Sequence, residues 1–579
     1  MKKLLVSIML LAGAMTAMAT DYQGTLSVVI NGIMAEPTNN LITLNKQDDG
    51  KYELALKNFI LTNGGEMMPI GNIVLSNIEA AEEQDGAMIL ETNQEIALQE
   101  GDQDGIPMWL GPQLGLVPVN LRAVVNEGDI LTADIKIPLV GQDVQVLFDS
   151  RTFQLPNSGF EEFHTATAGN ATSDEPNNWH SFMSCTGDYA SMVNTVPHTF
   201  IGEEVRPGSE GSKSVLVKSG TVTVLGFIKV TANGTLTTGR LNAGAASATD
   251  PKNNAFLDLS KDDKDANKDP FYTILNTLPD SISFWVKFQQ GKGASSKYPY
   301  ATMSAVITDG SYYQEPKPKD TDYSDIIVGE ASDKEIASTG EWKKITVPFT
   351  YTNIDKAPKG ILVTFSTNAE PGQGTANDEL YIDDIELIYN SSLSDLSING
   401  ETIEGFASDK YDYEYNIAEG STIDEVVSSI KYTVTGNESH ALVYVDNDMN
   451  TMTITVLSAD LLTNHTYTIT FTESKGDDEN KGDDENKGDD DNKGDDNKGD
   501  DDNKGDDDNK GDDDNKGGDD NKGDDDNKGD DTGVESVIIT SDQGKTIYNI
   551  MGQPVNSVKN GEVYIIKYPN GKTVKAINK

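Results

Sequence analysis

The sequence predicts an all-β, multidomain chain, and three observations carry that prediction. Apolar residues alternate with polar ones in short runs bounded by Gly, Asn and Asp, as in Gly24-Thr25-Leu26-Ser27-Val28-Val29-Ile30-Asn31-Gly32 and Asp49-Gly50-Lys51-Tyr52-Glu53-Leu54-Ala55-Leu56. Such a period of two is the signature of half-buried strands, and its recurrence at roughly ten-residue spacing indicates barrels or sandwiches. The chain has 579 residues, and single cores stop growing beyond about 250–300 residues. Finally, a long charged repeat without one apolar residue divides the last folded segment from the rest.

Charge and cysteine content remove several function classes. The formal net charge is −50, from 95 acidic and 45 basic residues. A surface of that sign repels phosphate backbones and anionic lipid, so nucleic acid is a poor partner, while cations, neutral glycans and basic proteins remain open. Cys185 is the only cysteine; it permits no intramolecular disulfide and no thiol–metal cluster. The five histidines are scattered without a recognisable nucleophile motif beside them, and Cys185 reads as structural.

The first element, residues 1–19, reads as a secretory signal peptide. Lys2 and Lys3 precede an apolar run from Leu4 to Ala14, and Ala17-Met18-Ala19 supplies the small–x–small pattern for cleavage. The run is too short to span a bilayer permanently, so no transmembrane segment is expected after cleavage. The mature protein should begin near Thr20 as a soluble species.

Residues 20–149 carry the alternation quoted above, with Lys57-Asn58-Phe59, Pro69-Ile70-Gly71-Asn72-Ile73 and Trp109-x-Gly111-Pro112-x-Leu114-Gly115-x-Val117-Pro118-Val119. These elements resemble the lipocalin-like, calycin-like β-barrel domain of Bacteroidota. Small barrels either fill their interior with side chains or hold one small ligand. Trp109 therefore has two readings, as the lining of a ligand cavity or as a plug of packed core.

Residues 150–390 are too long for a simple immunoglobulin-type unit. They open with Asn157-Ser158-Gly159-Phe160-Glu161-Glu162-Phe163, pass through Pro176-Asn177-Asn178-Trp179 and close with Leu380-Tyr381-Ile382-Asp383-Asp384-Ile385-Glu386-Leu387-Ile388-Tyr389. These motifs are similar to a carbohydrate-metabolism domain of Bacteroidota and, more distantly, to jelly-roll carbohydrate-binding modules. The resemblance implies that Glu161 and Asp383, with Asp384 as the alternative, hold a structural Ca²⁺, an ion suited by hard oxygen ligands. The other reading leaves these acids at a solvated strand end.

Sugar recognition needs an exposed aromatic face with polar neighbours. In Ile282-Ser283-Phe284-Trp285-Val286-Lys287-Phe288 the apolar set is Ile282, Phe284, Val286 and Phe288, so Trp285 falls on the opposite face with Ser283 and Lys287. Trp285 is the expected platform, followed by the loop aromatics Tyr298, Tyr300, Tyr312 and Tyr313. Trp179 and Trp342 sit in motif positions and read as structural.

Residues 391–474 read as a smaller sandwich. Leu393-Ser394-Asp395-Leu396-Ser397-Ile398-Asn399-Gly400, Tyr411-Asp412-Tyr413 and Tyr467-Thr468-Ile469-Thr470-Phe471 resemble cadherin-like or immunoglobulin-like spacer domains of bacterial surface proteins. No site is expected in it.

Residues 475–531 repeat KGDDEN, KGDDDN and KGDDN blocks, with 27 acidic residues against 10 lysines. With nothing to bury, the tract cannot offset its chain entropy, and like charges extend it, so it reads as a disordered linker. An EF-hand reading fails because the fifth and twelfth positions of a loop that starts at Asp477 hold Lys481 and Gly488 rather than oxygen ligands.

Residues 532–579 regain β-pattern in Val534-Glu535-Ser536-Val537-Ile538-Ile539, Ile547-Tyr548-Asn549-Ile550-Met551-Gly552-Gln553-Pro554-Val555, Gly561-Glu562-Val563-Tyr564-Ile565-Ile566-Lys567 and Asn570-Gly571-Lys572-Thr573-Val574-Lys575. They resemble the C-terminal sorting domain of type IX secretion cargo. That resemblance implies export through inner and outer membranes by the type IX machinery, then release or attachment at the outer cell surface.

For activity, the sequence has no G-x-S-x-G, H-E-x-x-H or P-loop, and no G-x-G-x-x-G in a strand–helix context. Adjacent acids on one strand point to opposite faces and do not make a glycosidase pair. The expected function is noncatalytic binding of a glycan or cell-surface polysaccharide, with catalysis of no identified reaction. The alternatives are a glycan-processing enzyme and a lipocalin-like carrier of a small apolar ligand.

Overall fold

The computed structural model describes residues 19–82, 86–126, 128–139, 142–293 and 297–473, and four backbone strands beyond residue 534. The expected signal peptide, apart from Ala19, and the acidic tract 475–531 lie outside the described residues. The chain divides into two compact units, Met1–Ile417 with Ser421–Thr472, and Ala418–Gly420 with Glu473–Lys579.

The first unit begins with a closed barrel. Its long strands run Ala19–Ile30, Thr38–Lys46, Tyr52–Asn63, Glu66–Glu82, Met88–Ala97, Leu116–Asn126, Ile130–Leu139 and Gln142–Asp149, each antiparallel to the next. The last returns to the first, with Val28 opposite Val146. The period of two now has its cause. In Leu116–Asn126, Val117, Val119, Leu121, Ala123 and Val125 all point inward. They join Leu26, Ile42, Leu54, Leu75, Leu90, Leu131 and Phe148 in one buried cluster that fills the interior.

The central module is a two-sheet sandwich. One sheet orders Thr199–Gly202, Ser214–Lys218, Glu379–Ile388, Ser281–Gln289 and Lys343–Pro348; the other orders Thr235–Thr237, Gly360–Ser366, Tyr300–Thr308, Ile327–Ala337 and Thr350–Tyr351. Between them lie Val215, Ile282, Phe284, Val286, Phe288, Val363, Phe365 and Ile382. Trp179 is fully buried in this core, its ring 5.3 Å from Phe160 and 6.5 Å from Phe365, and its indole N–H donates to the Pro156 carbonyl at 3.0 Å. A third, small sheet of Arg240–Ala243, Asn253–Leu257 and Tyr313–Glu315 covers part of the second sheet's outer face through Leu241, Leu257, Val306 and Leu362.

The third module packs a sheet of Leu393–Ile398, Glu401–Thr402 and Lys431–Val434 against one of Asp412–Ile417, Asn464–Glu473, Thr451–Leu457 and His440–Asp446. Leu396, Ile454, Val456 and Tyr467 form its core. The short helix Ile423–Ser429 was not expected. It starts at a capping box, Thr422 accepting from the Glu425 N–H and Glu425 accepting from the Thr422 N–H.

The three modules of this unit do not hang as separate beads. The Ser27 hydroxyl donates to the Leu461 carbonyl at 2.6 Å, and Val29 and Leu147 of the barrel pack on Leu457 and Leu461. At a second contact Arg151 reaches Asp149 at 2.8 Å and Glu438 at 2.5 Å, while Glu438 also accepts from the Leu278 N–H at 3.1 Å.

In the second unit a four-stranded sheet orders Glu535–Val537, Thr573–Asn578, Val563–Lys567 and Thr546–Asn549, with only the first pair parallel.

Candidate functional site

The two outer faces of the central sandwich carry the candidate sites. On the first sheet, Ser281–Gln289 places Trp285 opposite Lys344 on one side and Asp383 on the other. The alternation therefore turns Trp285 away from the core, as its neighbours in sequence dictate. Its ring is half-buried beneath the Arg206 guanidinium, 5.5 Å from the centroid. Lys287 pairs with Glu204 and lies 5.1 Å from the Tyr381 ring, and Trp342 meets Tyr381 edge-on at 6.2 Å. Trp285 and Tyr381 thus lie on neighbouring strands, each with a cation over its ring, and Trp342 adjoins them just before the strand Lys343–Pro348.

Arg206 begins a loop that gathers the three expected calcium ligands. Its backbone N–H donates to Asp383 at 3.0 Å and its Nε to Asp384 at 2.5 Å. Glu161 accepts from the Ser212 and Lys213 N–H groups at 2.8 and 2.9 Å. Asp383 also accepts the Asp384 N–H at 2.9 Å. Each acid therefore already satisfies oxygens with donors of the protein.

Burial pushes the Asp383 carboxyl up to about 6, with the Asp384 charge adding to the rise and the Arg206 N–H opposing it. The sign follows from linkage. Above its ordinary value the native state binds the proton that the unfolded chain releases, so this group's contribution to stability falls as pH rises from about 4 to about 6 and is level beyond. Thermal melts across that window should show the decline in the wild type and its loss in Asp383→Asn. Calcium held by the three acids would keep Asp383 ionised and remove the slope, so the same melts with Ca²⁺ and with chelator test the calcium expectation.

The second sheet's outer face forms the floor of a cleft of about 500 Å³, within the about 300–1,000 Å³ of small-ligand sites. Thr302, Ser304, Thr364 and Ser366 form the floor, and the hairpin Gly220–Val224 with Ile228–Ala232 gives an apolar wall through Val222, Val224 and Val230. At that hairpin's tip Phe227 is 78% exposed. Four asparagine amides line the cleft, those of Asn233, Asn253, Asn254 and Asn368. Asn233 Nδ2 donates to the Asn368 carbonyl at 3.0 Å and Asn254 Nδ2 to the Pro251 carbonyl at 2.8 Å. Carbonyls only accept, which fixes both amide orientations and leaves each Oδ1 buried without a protein donor.

The remaining expected residues are dispersed. The carbonyls of Tyr298 and Tyr300 anchor the 368–369 segment at the cleft edge, accepting from Asn368 Nδ2 at 2.8 Å and the Ala369 N–H at 3.2 Å. Tyr312 is 43% exposed beside Phe256, whereas Tyr313 is packed in the small-sheet core against Tyr323, where no ligand can stack on it. Trp109 is buried outside the barrel's interior cluster, over Gly101; a side chain at Gly101 would collide with its ring. Burial pushes the Cys185 thiol up to about 12, so it stays protonated at neutral pH. Arg206, Asn233, Asn254 and Phe227 were not singled out by the sequence. Only Phe227, an aromatic in the Leu225-Gly226-Phe227 turn, offered a local signal.

The stretch that holds these eight closed strands matches the family model of the calycin-like β-barrel domain, at residues 18–150. Residues 18–150 form a calycin-like β-barrel domain. Outside that calycin-like domain the matches are local or distant. A gellan lyase from Bacillus sp is 42% identical over 82 residues, 14% of this chain, and the chain spans only 3% of that relative's length. A candidate glycoside hydrolase from Bacteroides thetaiotaomicron VPI-5482 is 15% identical, with a TM-score of 0.30 over 66% of this chain and 99% of its own. Another from Bacteroides vulgatus ATCC 8482 is 15% identical, with a TM-score of 0.26 over 40% and 96%. Among the described residues no helix is long and apolar enough to cross a membrane.

Proposed function

We propose that the chain is a secreted or surface-attached, noncatalytic glycan-binding protein of adhesive role, which holds a polysaccharide segment in the sandwich cleft. The observation that carries this reading is the cleft itself, a hydroxyl floor of Thr302, Ser304, Thr364 and Ser366 beside an apolar wall of Val222, Val224 and Val230, with the Asn233 and Asn254 amides in its lining. Sugars bring hydroxyl donors and apolar CH faces together, which suits that lining. The local likeness to a gellan lyase supports a polysaccharide partner. The filled barrel interior weighs against a lipocalin-like carrier. Export by the leader and the type IX-like tail supplies the extracellular setting, and cell fractionation with tail deletion tests it.

A glycan array probed with the whole mature chain tests the binding. Asn254→Ala should weaken the bound glycan by about five-fold, the worth of one hydrogen bond near 1 kcal/mol, with Trp285→Ala unchanged. A second reading is favoured by the aromatic trio Trp285, Trp342 and Tyr381: loss of binding in Trp285→Ala but not in Asn254→Ala would move the site to that face. Release of reducing ends from the bound polysaccharide would replace binding by catalysis.

A further inference from the structure

Away from both faces, Glu175, His180 and Asp265 bring ligand atoms within 4.8 Å of one another inside the central module, and His164 lies beside two of them. They come from the hairpin Phe163–Ala168 with Ala171–Pro176, the turn that follows it, and the loop 258–270. His164 Nε2 lies 3.2 Å from Asp265 Oδ2 and 3.8 Å from Glu175 Oε2, and His180 Nδ1 lies 3.7 Å from the same Asp265 oxygen. Glu175 and His180 are fully buried; the Asp265 and His164 side chains are 2% and 11% exposed.

Each group spends its other polar atom on a protein partner. His164 Nδ1 faces Asn177 Oδ1 at 3.2 Å, and His180 Nε2 faces the Pro270 carbonyl at 3.1 Å. Those oxygens only accept, so the imidazoles donate from these nitrogens and carry their lone pairs on His164 Nε2 and His180 Nδ1. Asp265 Oδ1 accepts the Asp269 N–H at 2.8 Å. Glu175 Oε1 accepts from the Ser181 N–H at 2.7 Å, the Ser181 hydroxyl, and the Ser184 hydroxyl at 3.1 Å. What is left is Glu175 Oε2, Asp265 Oδ2 and His180 Nδ1, all buried and all without a hydrogen-bond partner.

Lone pairs facing lone pairs in a dry interior repel, and two carboxylate oxygens there need a positive charge between them. We propose that Glu175, His180 and Asp265 bind one divalent transition-metal ion, with zinc the best match, and that His164, beside Glu175 and Asp265, completes its coordination. A tetrahedral ion with ligands at about 2.0–2.2 Å sets them about 3.3–3.6 Å apart; three of the six separations, His164–Asp265, His180–Asp265 and His164–Glu175, are 3.2, 3.7 and 3.8 Å, and Glu175, His180 and Asp265 fall mutually within 4.8 Å. Two imidazoles select a transition metal over calcium, which takes six to eight oxygens. With four protein ligands the site is closed and structural, a clamp that holds the 258–270 loop to the hairpin. It is distinct from Glu161, Asp383 and Asp384 and independent of the glycan reading.

Metal analysis of the intact mature chain, purified without added metal, should find about one zinc per chain. Stripping with a strong chelator should lower its melting temperature, and Zn²⁺ but not Ca²⁺ should restore it. Co²⁺ in the stripped protein should give visible d–d bands that His164→Ala abolishes. Asn177→Ala, which removes the oxygen that orients His164 together with the amide's bonds to Glu162 and Asn267 and leaves all four proposed ligands in place, should weaken Zn²⁺ binding by about 10- to 100-fold, and it serves if His164→Ala does not fold. Both variants keep the acidic tract, so diffuse binding there cancels. Equal Zn²⁺ affinity in wild type and Asn177→Ala, or stripped and zinc-loaded proteins melting alike, would overturn the site.

Discussion

Replacing Arg151 by alanine should destabilise the first unit by about 3–5 kcal/mol, the cost of leaving buried charge without its partner. The guanidinium is 13% exposed and neutralises Asp149 of the barrel and Glu438 of the third module at once, while its face rests 5.3 Å from the Phe153 ring. Denaturant melts of the wild type should show one transition for the three modules, and Arg151→Ala should split or broaden it. Arg151→Lys should recover little, because one ammonium cannot reproduce a fork to two carboxylates. An unchanged midpoint would mean that the modules fold independently of this contact.

Trp179→Ala should cost about 3–5 kcal/mol as well, from the cavity left by a fully buried indole and from the Pro156 carbonyl that loses its donor. The same substitution at Trp285 should cost far less, because that ring is half-buried on an outer face. Parallel chemical denaturation of the two variants measures the difference, and equal losses would refute the placement of one of them.

The two tryptophans show what sequence pattern can and cannot deliver. Trp285 sits in a clean alternation, so its outward direction was legible from Ile282, Phe284, Val286 and Phe288 alone. What covers it was not, since Arg206 is 79 positions away and no local pattern couples them. The barrel was legible because its inward residues alternate, strand after strand. Tyr313 misled because, unlike the exposed Tyr312 beside it, it belongs to a three-residue strand too short to show a period. The histidine–carboxylate cluster was hidden for another reason. Among 95 acids, Glu175 and Asp265 carry no weight singly. Yet His164 directly follows Phe163 of the opening motif and His180 directly follows Trp179 of the next, so the two motifs themselves placed both imidazoles. The cleft amides had no such flag, because asparagines near turns are common for reasons of backbone geometry.

Closure of the barrel has a topological corollary. Its first and last strands are neighbours, with Thr25 beside Asp149, so the polypeptide enters and leaves this β-cylinder on the same side of its wall. Such a cassette could be lost in a recombination event without unthreading anything else. The greasy seam with Leu457 and Leu461 is what makes the loss costly, since excision would strip those leucines of their cover and leave an adhesive scar.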